Sequence, residues 1–190
     1  MTIEIKQLVK LSDNLEIIQG PDGSFASKLI SLKEFSSGEV LATLGKECRT
    51  THIKAYTSVQ FLEESDNKEE AQLAHFELGS ELVFINHSCE PNVAFHLPDG
   101  LKGLEEGRWC LKALSNIQEG VALTFAYFST EWDMAQPFVC QCGSKSCLGE
   151  ILGAKYLSQE LLDRYFINDH IKRLKQKQKT SNLAEHVLPS

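Results

Sequence analysis

Three cysteines near residue 140 carry the sharpest chemical signal in the chain. Cys140-Gln141-Cys142-Gly143-Ser144-Lys145-Ser146-Cys147 reads C-x-C-x4-C, three thiols in one loop with a glycine in its turn. A structural zinc ion is held by four soft ligands in a closed tetrahedron. The loop supplies three, so the fourth must come from elsewhere. Cys89 is the natural candidate; Cys48 and Cys110 remain, and Cys110 falls in a strand pattern that suits a core thiol. Cys89 belongs to a second polar cluster, Asn86-His87-Ser88-Cys89-Glu90-Pro91-Asn92, which directly follows the apolar run Leu82-Val83-Phe84-Ile85. Polar groups at the end of a buried run are costly unless each finds a partner. Asn86 and His87 can each donate and accept, and Pro91 pushes Glu90 toward an extended conformation. A metal shared between the two clusters would pin the cysteine loop beside the Asn86–Asn92 turn.

The elements that must position these clusters are short and mostly extended. Residues 2–9 alternate and read as a strand or strand pair. The turn Gly20-Pro21-Asp22-Gly23 precedes a strand over residues 24–32, where Gly23 would let backbone come close to a ligand. Further strands are expected over 40–44, 57–62, 93–97, 108–114 and 121–127, and the run 82–85 reads as a buried strand or short buried helix. Leu32, Phe35, Gly38 and Leu41 are echoed by Leu114, Ile117, Gly120 and Leu123 at a constant offset of 82. That echo suggests two similar strand-turn-strand pieces in one domain. The acidic stretch from Glu63 to Glu70 reads as a solvated loop. Ser158 is placed to cap a helix carrying Leu161, Leu162, Tyr165 and Phe166. Asn168-Asp169 interrupts it before a second helical piece with a solvated basic tail, Lys172, Arg173, Lys175, Lys177 and Lys179.

With 190 residues, 42% of them hydrophobic, the chain is long enough for one domain with a sizeable core. The net charge of −7 disfavours direct nucleic-acid binding and favours a basic protein or peptide as partner. No apolar run reaches membrane-spanning length, and the first residues lack the pattern of a secretory leader. An intracellular, reducing location is the expectation, with nucleus and cytoplasm both open, and six cysteines there are metal ligands or free thiols rather than disulfides.

Taken together, Asn86–Asn92, Ala122-Leu123-Thr124-Phe125-Ala126-Tyr127 and the C-x-C-x4-C loop resemble, in order and spacing, a SET domain with its post-SET zinc loop. Gly23-Ser24-Phe25-Ala26 is similar to the family's N-terminal glycine motif, and Gly38-Glu39 to the Gly-Glu that follows it. The resemblance covers about residues 15–152 and divides the chain into a SET domain with post-SET loop (1–152, loop 140–148) and a C-terminal helical extension (153–190). It implies a mainly β fold, a β-rich α+β arrangement of small sheets in which the C-terminal segment is threaded as a pseudoknot. It implies an S-adenosylmethionine-dependent methyltransferase acting on a protein lysine, with S-adenosylhomocysteine as product. In that likeness Gly23, Ser24 and Phe25 offer backbone to the methionine end of the cofactor. Asn86 and His87 lie along it, and Leu148 covers the adenine. Cys89, Cys140, Cys142 and Cys147 hold zinc, Tyr127 is the active-site tyrosine, and Phe125 is the aromatic position governing how many methyl groups are added. The sequence departs from the family at Pro21, where a glycine is usual, at Ala126, usually acidic, and at Thr43, usually a tyrosine that Tyr56 could replace. These departures keep two alternatives in view: a SET-type enzyme acting on a small metabolite, and a non-catalytic SET-like binding module. Oligomeric state is left open.

Overall fold

The computed structural model describes residues 8–22, 24–45, 49–63 and 72–185. Gly23, Cys48, most of the strand expected over 2–9 and the acidic residues 64–70 lie outside the described residues. The described residues fold as five small sheets around a common core. β1 (Leu15–Ile18) and β2 (Lys28–Ser31) pair antiparallel, with Leu15 opposite Ser31. Only the last half of the strand expected over 24–32 joins that ladder. The reason is local: Ser24 bonds back to the Pro21 carbonyl through both its N–H (3.1 Å) and its hydroxyl (2.6 Å), and the Gly20 N–H donates to Ser27 Oγ (3.0 Å). Such side-chain bonds compete with strand pairing.

β3 (Val40–Thr43), β8 (Val93–His96) and β9 (Cys110–Ala113) form an antiparallel sheet in the order β3-β9-β8, with α1 (Gly100–Glu105) between the last two in sequence. β4 (Arg49–Thr51), β5 (Ser58–Glu63) and β6 (Gln72–Glu77) form a second, ordered β4-β6-β5, which leaves β5 at an edge. The aromatic centre of the core joins these layers: Phe61, Phe76 and Trp109 are all buried, with the Phe76 and Trp109 ring centroids 4.6 Å apart and the indole N–H donating to the Pro98 carbonyl at 3.0 Å. The buried run ends as a 3-10 turn over Glu81–Phe84.

The internal echo has a structural meaning. Its two copies bond to each other about a local two-fold. Phe35 and Ile117 exchange N–H···O bonds of 2.9 and 2.8 Å. The Gly38 N–H donates to the Ala113 carbonyl at 2.9 Å, and its counterpart, the Gly120 N–H, donates to the Ser31 carbonyl at 2.8 Å. Both glycines have positive φ, 85° and 80°, a conformation costly for residues with a Cβ. The echo therefore records one turn used twice, each copy closing on the other.

Two crossings then build the site. β7 (Asn86–His87) runs parallel to β10 (Thr124–Phe125), Asn86 opposite Thr124 and His87 opposite Phe125. Parallel partners need a long connection, and here the intervening chain supplies the β8–β9 sheet and the second copy of the repeat. The Asn92 side chain extends the pairing, accepting from the Thr124 N–H and donating to the Ala122 carbonyl, both at 2.8 Å. The strand expected over 121–127 is thus shorter than its apolar run, because the chain turns at once into a 3-10 turn over Tyr127–Ser129. β11 (Phe138–Val139) and β12 (Glu150–Ile151) pair antiparallel and close the cysteine loop at its base.

The C-terminal residues pack back onto the site. Ser158 caps α2 (Gln159–Leu162), its hydroxyl accepting from the Leu161 N–H at 3.2 Å. α3 (Asp169–Glu185) begins at the interruption the sequence marks. Leu162, Ile167 and Ile171 are buried with Ala126, Phe128 and Ala154. One residue of the basic tail is not solvated: Lys175 is buried, and its Nζ donates to the carbonyls of Ala154 (3.3 Å) and Lys155 (3.1 Å). No helix among the described residues is long and apolar enough to cross a membrane.

Candidate active site and cysteine cluster

The four thiols singled out by spacing converge. The sulfurs of Cys89, Cys140, Cys142 and Cys147 all lie within 4.8 Å of one another, and those of Cys89 and Cys140 are 3.9 Å apart. Sulfurs at the corners of a tetrahedron about 2.3 Å from a central zinc stand about 3.8 Å apart, so the set is sized for that ion. Backbone N–H groups already point at the sulfurs, from Leu148 to Cys89 at 3.3 Å and from Cys142 to Cys140 at 3.4 Å, as suits thiolates. Burial pushes the Cys140 thiol up to about 12. Burial would also raise Cys142, but hydrogen bonds from Ser144, the Cys89 backbone and Cys140 outweigh it and bring it down to about 6. Thiols this close cannot all ionise without a cation among them, and a dication answers that requirement. Cys110 is a buried core residue of β9, apart from the cluster.

A short chain of bonds runs from the cluster to Tyr127. The Tyr127 N–H donates to His87 Nδ1 at 3.1 Å, which leaves the proton on Nε2, 3.4 Å from the Cys89 sulfur. Burial depresses the imidazole to about 4, so it is neutral at physiological pH. The Tyr127 hydroxyl donates to the Ile85 carbonyl at 3.3 Å. Loss of water around the phenol pushes its pKa up to about 12. Its ring lies in an aromatic pocket: Phe125 at 4.7 Å between centroids, His87 at 5.2 Å and Phe138 at 5.9 Å. Phe125 is buried and leans edge-on against Phe95 at 4.8 Å.

Asn86 ties this centre to the glycine-motif loop, its Nδ2 donating to the Ser27 carbonyl at 2.8 Å. That loop needs glycine at Gly20, a position the sequence marks only as part of a turn. A Cβ on Gly20 would stand 2.7 Å from the Ala26 carbonyl carbon, too close for any side chain. Phe25 is 79% exposed and meets Tyr56 edge-to-face at 6.1 Å. Tyr56, the residue considered in place of a tyrosine at Thr43, therefore sits beside the glycine-motif loop. Leu148 packs at once against Cys89 and Cys140 and against the Ala126–Phe128 cluster. A cavity of about 730 Å³ opens between the Cys89–Asn92 turn and the segment from Leu161 to Phe166; among the described residues expected to bind cofactor, Leu148 alone lines it.

Three residues of the site escape a reading of spacing. Phe138 precedes the first cysteine of the loop, but its contact with Tyr127 depends on the β11–β12 pairing. Glu131 is buried behind Tyr127, its Oε1 accepting from the edge N–H of Gln60 in β5 (3.0 Å) and from the Thr130 hydroxyl (3.3 Å). Asn168 is buried and bonds to the turn that follows Tyr127. A polar residue just before a basic helical segment was legible as a break between two helices and as nothing more.

Comparison with known proteins gives a consistent picture. The profile of the SET domain matches residues 15–128. The chain is 36% identical over 166 residues to the methyltransferase flvH of Aspergillus flavus, covering 85% of this chain and 81% of that protein. It is 41% identical over 69 residues to the H3 lysine-4-specific histone-lysine N-methyltransferase of Emericella nidulans, which is 35% of this chain and 5% of that one. To the histone-lysine N-methyltransferase ash1 of Drosophila melanogaster it is 36% identical over 76 residues, 40% of this chain and 3% of the other. Among solved structures, the methyltransferase domain of human histone-lysine N-methyltransferase SETMAR has the same fold, with a TM-score of 0.52 at 14% identity over 78% of this chain and 61% of that one.

Proposed function

The chain belongs to the SET-domain family of methyltransferases, and from that premise we propose that it transfers a methyl group from S-adenosylmethionine to an amine, most simply the side-chain amine of a protein lysine. The observation that carries this reading is the convergence of Asn86-His87, Phe125–Tyr127 and the four thiols, joined by the Tyr127–His87–Cys89 bonds. A scaffold without catalysis has no use for a tyrosine held between a metal turn and an aromatic pocket.

When bound, the cofactor supplies an electrophilic methyl on a sulfonium. That methyl would pass by a single displacement to a neutral amine, with S-adenosylhomocysteine as product and the positive charge carried by the amine. No anion develops, so the protein's task is alignment and exclusion of water. Tyr127 fits a positioning role. With its pKa pushed up to about 12 it stays protonated at neutral pH and cannot remove a proton there. Its proton is directed to the Ile85 carbonyl, which leaves the oxygen's lone pairs for the reacting groups. Phe125 and Phe138 would wall the amine's path with apolar surface, keeping it neutral and dry. Ser24, Phe25 and Gly23 would flank the methionine end, Asn86 and His87 the length of the cofactor, and Leu148 its adenine. Cys89, Cys140, Cys142 and Cys147 would hold a structural zinc that fixes the wall carrying Leu148. A net charge of −7 suits a basic protein substrate, and a cluster of reduced thiols suits an intracellular location.

One observation favours a second reading. The A. flavus relative covers most of this chain and is named only as a methyltransferase, whereas the histone enzymes quoted above match it over 35% and 40%. A small-molecule amine would then be the acceptor. Incubating the protein with cofactor labelled in the methyl group, against the protein and small-molecule fractions of a host extract, separates the two. Label in neither fraction refutes both. Tyr127→Phe keeps the ring and removes the hydroxyl; it is expected to fold normally, bind the cofactor and lose at least about tenfold in turnover, about 1.4 kcal/mol in the barrier. Full turnover in that variant would show the role of Tyr127 to be misassigned.

A further inference from the structure

We propose that the C-terminal extension is a brace for the active site, in which Asn168 and His170 are positioning residues that hold the Tyr127 turn and Tyr165 holds the metal turn. This rests on the methyl-transfer reading above. Tyr127 opens a 3-10 turn, and a turn this short leaves carbonyls without backbone partners. The Tyr127 carbonyl is satisfied within the turn, by the N–H groups of Thr130 and Glu131. Further along the exit, the carbonyls of Ser129 and Thr130 find their partners, among the described residues, in the extension. Asn168 donates to Ser129 O through its backbone N–H (3.2 Å) and its Nδ2 (3.1 Å). His170 Nε2 donates to Thr130 O at 2.8 Å. Both residues are buried, 3% and 5% exposed, so water is not at hand to take their place. Burial holds the His170 ring neutral, its pKa lowered to about 4, and a carbonyl partner places the remaining proton on Nε2.

The same amide reaches the other side of the pocket. Asn168 Oδ1 accepts from the Leu97 N–H (3.0 Å) and Nδ2 donates to the Phe95 carbonyl (2.9 Å). Phe95 supports Phe125, and Phe125 supports Tyr127, at ring separations of 4.8 and 4.7 Å. One side chain thus sets the spacing between the wall of the pocket and the turn that carries the hydroxyl. Tyr165 completes the brace: its hydroxyl donates to the Cys89 carbonyl at 3.0 Å, and its ring meets Phe128 edge-on at 4.9 Å. All three residues lie beyond the stretch matched by the family profile, which ends at residue 128. The support is supplied by this chain's own C-terminal segment.

Displacing reacting groups by about an ångström costs on the order of a hundredfold in rate, so a brace is visible in turnover before it is visible in binding. The test uses the full-length, zinc-loaded protein. His170→Phe keeps a ring of similar size without the donor; His170→Gln restores an N–H donor toward Thr130 O; Tyr165→Phe deletes only the hydroxyl on Cys89 O. In His170→Phe, kcat is expected to fall at least about tenfold while calorimetric affinity for the cofactor stays within about twofold. His170→Gln should recover most of kcat, and Tyr165→Phe should show a smaller loss of kcat with unchanged zinc content. A second readout needs no turnover: the 19F resonance of fluorotyrosine incorporated at position 127 should shift or broaden in His170→Phe and return in His170→Gln. Losses of kcat that merely follow the folded fraction on thermal melting, or an active protein in which neither kcat nor the resonance responds, would overturn the brace. A resonance that responds to His170→Phe while the wild-type protein transfers no methyl group would retain the brace and refute the catalytic reading instead. Should His170→Phe fail to fold, Tyr165→Phe carries the comparison of kcat and resonance against the wild type.

Discussion

Replacing Glu131 by glutamine should change the pH dependence of stability more than stability itself at any single acidic pH. The carboxyl sits on the turn behind Tyr127, 6% exposed, its Oε1 accepting from Gln60 N–H and the Thr130 hydroxyl. Burial pushes its pKa up to about 8 from an ordinary 4.5; the two hydrogen bonds and the charge of Lys54 pull it only partly back. A group whose pKa is raised by folding contributes fully below its unfolded value and loses that contribution as pH rises through its folded value. Each pH unit between 4.5 and about 8 therefore removes about 1.4 kcal/mol. Between about pH 5.5 and about pH 8.5, a window in which cysteine–zinc sites persist, the wild-type carboxyl costs the fold about 3 kcal/mol. Glutamine cannot titrate, and its amide oxygen can still accept from Gln60. Urea denaturation of both proteins, followed by the fluorescence of Trp109 and Trp132 at a series of pH values, gives the difference between them and cancels every other titrating group. The variant should gain about 3 kcal/mol on the wild type across that window. Parallel stability curves would mean that Glu131 is ionised in the folded protein and that the turn is built around a charge.

Three further outcomes are expected. Metal analysis of freshly purified, reduced protein should give one zinc per chain, and Cys147→Ser should lose it together with a large fall in melting temperature; a full complement of zinc in that variant would remove Cys147 from the ligand set. Asn86→Ala leaves the Ser27 carbonyl without its partner and should cost on the order of 1–3 kcal/mol in stability, with weaker S-adenosylmethionine binding by calorimetry; unchanged affinity would take Asn86 out of the cofactor site. Gly20→Ala places a methyl 2.7 Å from the Ala26 carbonyl carbon and should cost about 1–3 kcal/mol by overpacking, measured by thermal melting; a variant as stable as wild type would show that the loop around Ser24 and Phe25 yields freely.

What the sequence determined by itself is the chemistry at short range. Thiol spacing in Cys140–Cys147 brings three sulfurs together, because side chains a few residues apart in one turn converge. The offset of 82 between the two strand-turn-strand pieces, the Ser158 cap and the break before Asp169 were legible for the same reason: each depends on neighbours in the chain. The order and spacing of Asn86–Asn92, Ala122–Tyr127 and the cysteine loop were enough to identify the family. The tertiary structure decided which segments meet across distance. Cys89, rather than Cys110, stands with the loop thiols because β7 and β10 pair in parallel and carry the Cys89 turn to the base of β11 and β12. Lys175 reads as one more charge of a solvated tail, yet its ammonium is taken up by two backbone carbonyls that only packing of α3 brings near. Asn168 and His170 carry no signal in spacing, since their partners lie at Phe95, Leu97, Ser129 and Thr130. A carbonyl has no side-chain identity to read in a sequence; which residue satisfies it is settled only when the chain has closed around it and water has been excluded.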